Sequence, residues 1–117
     1  MAAVTPLGRF LRKVRIDEHE LLKDMATKLD VSVAQLSAIE LGKRSINTDV
    51  VTRIKEVYKK YINDSDFDEV VEMSQPSQKI DARESDSHRE LLVTFARKYV
   101  ELSDDKATAL LEKIKMI

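Results

Sequence analysis

Apolar residues recur at helical spacing through nearly the whole chain, and the breaks between runs carry their own chemistry. Thr5 followed by Pro6 marks a helix start, since Thr caps and Pro is pre-set for the first helical position. Leu7, Phe10, Leu11 and Val14 then follow the i, i+3, i+4, i+7 rule of a buried stripe. A second and third helix span 22–41, with apolar Met25, Leu29, Val31, Leu36 and Ile39 and a small Ala26. Ser32 is a cap for the third helix, its hydroxyl placed to accept from the N–H of Ala34 or Gln35, and Gly42 ends it. A fourth helix starts near Thr48 and is expected to bury Val50, Val51, Ile54, Val57, Tyr58 and Tyr61. A short fifth helix follows Ser65, with Asp66, Asp68 and Glu69 complementing its dipole and Phe67, Val70 and Val71 turned inward.

Residues 75–86 read as a polar linker interrupted by Pro76, within which residues 79–83 suit a brief extended segment able to pair with a partner chain. The capping box Ser87 to Glu90 announces a further helix with Leu91, Leu92, Phe95, Tyr99 and Val100 on one side. A break at Leu102, Ser103 and Asp104 leads to a last helix carrying Ala107, Leu110, Leu111 and Ile114. This hairpin of about thirty residues is too short to bury both apolar faces by itself. Its own copy in a second subunit is the economical partner, which makes Leu91, Leu92, Phe95, Tyr99, Leu110, Leu111 and Ile114 the expected dimerisation residues.

Two helices packed at a steep angle need a small residue at the crossing and a tight turn between them, and 22–41 supplies both, as a DNA-reading helix-turn-helix does. The surrounding segments LGRFLRKVR (7–15), LLKDMATKLDVSVAQLSAIELGKR (21–44) and VVTRIKEVYKKY (50–61) extend the match over about half the chain. In these the chain resembles the Xre/Cro family of lambda-repressor-like DNA-binding domains. Two positions depart from that pattern. Leu22 stands where the family often has Gln, and Asp30 stands at the turn usually given to Gly, although Asp tolerates the left-handed region.

The resemblance implies an all-α fold, a five-helix lambda-repressor-like domain over 1–74, then the linker, then a C-terminal helical hairpin over 87–117. It also implies a docking in which the start of the third helix enters the major groove. That places Ser32, Val33, Ala34, Ser37 and Ala38, with Gln35 close to them, toward bases or nearby phosphates. Lys43 and Arg44, just past Gly42, become the phosphate clamps, supported by Lys23, Lys28 and the basic residues of helix one, Arg9, Arg12, Lys13 and Arg15. Glu40 falls where the family keeps an acidic residue that braces the motif by an ion pair or hydrogen bond.

Composition agrees. Two Gly, two Pro and 5% aromatics among 117 residues favour helices, and 43% apolar content fills one core. The net charge of −1 is segregated: through Ile62 there are twelve Lys and Arg against eight Asp and Glu (+4), and from Asn63 onward eight against thirteen (−5). The basic half is the one expected to meet phosphate. Absence of cysteine excludes disulfides and thiolate metal sites. His19 and His88 lack companions at ligand spacing, and Asp64, Asp66 and Asp68 imitate a calcium loop only until Glu69 occupies the glycine position. No cofactor, metal or membrane span is expected, and no nucleophile stands beside a base, so catalysis is not expected either. The expected partner is double-stranded operator DNA, bound as a homodimer in the cytoplasm of a bacterium or by a phage-encoded protein at the nucleoid. Two functions stay open: a dimeric repressor of a palindromic operator, and an antitoxin whose acidic C-terminal half captures a toxin while the N-terminal domain regulates their shared promoter.

Overall fold

A computed structural model describes residues 3–117, which form seven α-helices and one 3-10 turn; no strand occurs among the described residues. The helices are α1 (Pro6–Glu18), α2 (Leu22–Lys28), α3 (Val33–Glu40), α4 (Thr48–Val57), α5 (Asp64–Met73), α6 (Asp86–Tyr99) and α7 (Asp104–Lys115). The chain divides into two compact units, Met1–Gln78 and Lys79–Ile117.

The first unit is built around one core. Leu7, Leu11 and Val14 of α1 meet Met25 and Ala26 of α2, Leu29, Leu36 and Ile39, Val50 and Ile54 of α4, Tyr58 and Phe67, all at most 3% exposed. Each large apolar side chain so buried contributes about 1.5–3 kcal/mol. Thr5 caps α1, its Oγ1 accepting from Gly8 N–H at 3.1 Å. Helices α1, α2 and α3 all end in the same way. A residue in the left-handed region (His19 at φ 56°, Asp30 at φ 56°, Gly42 at φ 69°) lets its own N–H and that of the next residue return to the last carbonyls. For α3 these bonds run from Gly42 N to Ile39 O (3.1 Å) and from Lys43 N to Ala38 O (3.0 Å).

Helix α5 starts at Asp64, slightly earlier than the sequence pattern suggests, and packs on α1 with the Phe10 and Phe67 rings 5.4 Å apart. The chain stays fastened after α5. The buried Ser74 hydroxyl accepts from Leu7 N–H (2.9 Å) and donates to Val70 O (2.7 Å), and Gln75 Oε1 accepts from Ile46 N–H at 3.3 Å.

Three expectations need correction. Val57 is 43% exposed, because α4 ends there and the 3-10 turn Lys59–Tyr61 changes the periodicity, while Tyr58 is buried as expected. Arg15 does not project outward with the other helix-one bases but folds onto Glu40. The cap of α6 is Ser85, whose hydroxyl accepts from His88 N–H, rather than Ser87, which lies inside the first turn.

The second unit is the helical hairpin α6–α7, with Ser103 capping α7 by accepting from Lys106 N–H at 3.3 Å. None of its residues is buried. Leu91 (67% exposed) and Tyr99 (63%) stand open, Leu111 and Ile114 are about half exposed, and Leu92, Phe95 and Leu110 are half-buried.

Candidate nucleic-acid interface

The turn between α2 and α3 is locked from several sides. Val31 N–H returns to Ala26 O (3.0 Å), Ser32 Oγ accepts from Gln35 N–H (3.0 Å), and the Arg53 guanidinium of α4 donates to Leu29 O (3.1 Å). Met25, Ala26, Leu36 and Ile39 hold the two helices together in the core. What remains for solvent is the start of α3: Ser32, Val33 and Ala34 are exposed, while Gln35, Ser37 and Ala38 are half-buried.

The far end of α3 is fixed by Glu40, 2% exposed. Its carboxylate takes both terminal nitrogens of Arg15, with Nη2 to Oε1 at 3.0 Å, and Arg12 Nε approaches at 3.4 Å. Its carbonyl accepts from Thr5 N–H (3.1 Å) and Thr5 Oγ1 (3.0 Å). Gly8 makes this approach possible, since a Cβ there would lie 2.3 Å from that carbonyl oxygen. A Cβ on Gly42 would likewise meet Thr5 Cγ2 at 2.7 Å, in addition to the strain of its positive φ. Helix α1 is thus bolted to the last turn of α3, the point from which Lys43 and Arg44 leave.

A second brace holds α2. Glu20, whose side chain is 8% exposed, accepts from Tyr58 Oη at 2.8 Å and pairs with the Lys28 ammonium. Burial, then the Glu20 hydrogen bond, pushes the Tyr58 phenol well above its usual range, and the Glu20 bond raises Lys28. Lys28 is thus paired within the protein, unlike Lys23, Lys43 and Arg44, the other cations expected at phosphates near the motif. Arg12 and Arg15 are committed to Glu40, and Arg9 donates to Val4 O at 2.8 Å. Lys13, Lys23, Lys43 and Arg44 are exposed and make no ion pair among the described residues.

An exposed helix start, a rigid support and a set of uncommitted cations beside it form an arrangement suited to a grooved polyanion. The family model for helix-turn-helix proteins matches residues 11–64, from α1 to the first residue of α5. Over those residues the chain is similar to the helix-turn-helix domains of Xre, lambda-repressor-like regulators. It is a DNA-binding transcriptional regulator. No curated protein and no solved structure matches the chain. Among the described residues no helix is long and apolar enough to cross a membrane, and no cluster of three His, Cys, Asp or Glu forms that could hold a metal ion.

Sequence reasoning missed the Glu20–Tyr58 brace and the Ser74 latch. Neither has a local signal, since their partners lie 38 and 67 residues apart. His19 as the left-handed end of α1 was missed too, and only its place two residues before the next apolar run hinted at it.

Proposed function

We propose that the protein is a dimeric repressor that places α3 in the major groove of each half of a palindromic operator. Ser32, Val33, Ala34, Gln35, Ser37 and Ala38 read base edges, and Lys23, Lys43 and Arg44 hold phosphates. The observation that carries this reading is the exposed first turn of α3 followed, past Gly42, by two unpaired cations. Direct readout at this surface leans on thymine methyls and on Ser and Gln hydrogen bonds, because Val and Ala cannot form bidentate base contacts.

The hairpin α6–α7 supplies the second subunit, through Leu91, Leu92, Phe95, Tyr99, Leu110, Leu111 and Ile114. A unit of this size without disulfide or metal needs another surface to complete its core, and no residue in it is buried. Charge favours a second copy over a basic toxin. The five acidic residues that make the C-terminal half negative, Asp64, Asp66, Asp68, Glu69 and Glu72, all lie on α5 of the first unit. Residues 79–117 hold eight Lys and Arg against eight Asp and Glu, a balance of zero. The acidic capture arm of an antitoxin is therefore not the hairpin.

Incubating the protein with fragmented DNA of its source genome, followed by recovery and sequencing, tests the reading. The expected result is enrichment of a two-fold symmetric site with half-sites about one helical turn, ~34–36 Å, apart. Enrichment of an asymmetric site, or of none, overturns it.

A further inference from the structure

Residues 79–83 lead into α6 in neither helix nor strand, and 80–83 border a groove of about 570 Å³ in the second unit. Ile80 and Ala82 share that groove with Leu92, Phe95 and Leu110, yet Ile80 remains 64% exposed. None of the backbone groups of 79–83 makes a backbone hydrogen bond, and of their carbonyls only that of Arg83 is engaged, by Arg89 Nε at 2.9 Å. Along the sequence, apolar Ile80 and Ala82 alternate with charged Lys79, Asp81 and Arg83, the period of a half-buried strand. An alternating segment with open N–H and C=O groups is a template for another strand.

We propose that residues 78–82 pair antiparallel with the same residues of a second copy, Ile80 lying on the two-fold axis, so that a two-stranded ribbon roofs the hairpin grooves. This rests on the dimer proposed above and names the part of it that sets register. Apolar residues must face the grooves in both copies, which leaves symmetric pairings centred on a single residue. Centring on Asp81 opposes it to its own copy and sets Lys79 against the partner's Arg83, all like charges. Centring on Ala82 opposes Ile80 to the partner's Glu84. Centring on Ala82 does match Asp81 with the partner's Arg83, but centring on Ile80 stacks Ile on Ile and sets Lys79 opposite the partner's Asp81 twice, the one arrangement of the three that both pairs Ile80 with an apolar residue and matches charge. Neither Lys79 nor Asp81 has an ion pair among the described residues of a single chain. Pro76, without an N–H, closes the ladder on one side. A two-stranded ribbon is marginal alone. Here the second unit leaves Leu91, Tyr99, Val100, Leu111, Ile114 and Ile117 at least about half exposed, apolar surface that a second copy can cover together with the ribbon.

The chain has no cysteine, so single substitutions in the full-length protein report cleanly. Opposed residues in such a pair have Cα atoms ~4.5–5.5 Å apart, within disulfide reach. Oxidised Ile80→Cys should run as a covalent dimer on a non-reducing gel. Arg83→Cys, about six residues and ~20 Å from its copy, should stay uncrosslinked. Lys79→Asp should weaken the dimer about tenfold by creating two like-charge contacts, and adding Asp81→Lys should restore it. If sedimentation shows a dimer but Ile80→Cys does not crosslink and the charge swap does not rescue, the ribbon is overturned and the helical dimer stands. Crosslinking at Arg83→Cys in place of Ile80→Cys overturns this register. A full-length chain that is monomeric at all concentrations overturns both the ribbon and the dimer.

Discussion

Replacing Glu40 by Gln tests whether the bolt between α1 and α3 is an ion pair or simply a well-packed contact. The carboxylate is 2% exposed and meets an Arg15 guanidinium that is 11% exposed, so removing the charge strands a nearly buried cation. Breaking one side of a buried pair costs about 3–5 kcal/mol. Gln keeps the shape and one acceptor, and Arg15 keeps some water, which puts the expected loss near the lower bound, about 3 kcal/mol. Arg12 adds little, being half exposed. A domain of this size has a total stability of about 4–12 kcal/mol, so the variant should still fold, with its Tm lowered by roughly 12–24 °C. Arg15→Met should cost a similar amount by leaving the carboxylate unpaired. Glu40→Leu with Arg15→Met should cost far less than the two single losses together, because apolar residues of similar volume replace a buried pair at little net cost. Urea denaturation of the wild type, Glu40→Leu, Arg15→Met and the double variant, followed by circular dichroism, gives the cycle, with Glu40→Gln measured beside it as the charge-only change. Additivity within about 0.5 kcal/mol would refute the reasoning, since residues coupled through charge cannot behave as independent sites.

Replacing Lys43 and Arg44 together by Ala should weaken binding to every sequence by a similar factor and reduce the salt slope of log K by about one to two units; an unchanged slope places the phosphate contacts elsewhere. A chain ending at Gln78 keeps the whole first core, the Ser74 latch and the Gln75 contact to Ile46, so it should stay folded. It should be monomeric and lose orders of magnitude in operator affinity; a truncated chain that still dimerises at micromolar concentration would move the interface off the hairpin. Tyr58 has a phenol raised above its unfolded value by burial and Glu20. The stability it contributes is therefore fully present below about pH 10 and declines as pH rises above it. Tyr58→Phe should be less stable at neutral pH but lose stability less steeply between pH 10 and 11, as read by denaturant titration at each pH, and an unchanged slope counts against the brace.

The parts of the fold that were legible are those written in short-range chemistry. Thr5–Pro6, Ser32 and Gly42 act on their own neighbours, so the start of α1 and both bounds of α3 follow from residues within four positions of each end. Asp30 in the left-handed region is legible for the same reason. The exposure of the start of α3 follows from helix position alone, once the helix is placed. Arg15 is the instructive failure. Its spacing makes it one more outward base on α1, and only the fold brings Glu40 to it from 25 residues away. The pairing of Lys28 with Glu20 was not legible either, because it belongs to a brace that also involves Tyr58. Val57 was expected inside along with Tyr58 and is exposed, because a 3-10 turn interrupts a period that the sequence alone carries straight on. Ser85 and Ser87 are both followed by acceptable first turns, and nothing local decides between them.

On the reading proposed here, the chemistry of α3 and the state of the hairpin are linked through concentration. Val33, Ala34 and Ala38 present no donors, so a half-site offers few of the bidentate contacts that discriminate by ~1–3 kcal/mol each. Specificity then depends on two half-sites read at once, and two are read only by a dimer. Below the dimer dissociation constant, operator occupancy should rise with the square of total protein; above it, in direct proportion. Titrating a labelled operator across that range, with the dimer constant measured separately by sedimentation, gives the slope on each side. Lys79→Asp should shift the change of slope to about tenfold higher protein without altering affinity once the dimer is formed. A slope of one throughout would mean that single subunits read the operator unaided, and the hairpin would then have to be assigned to another partner.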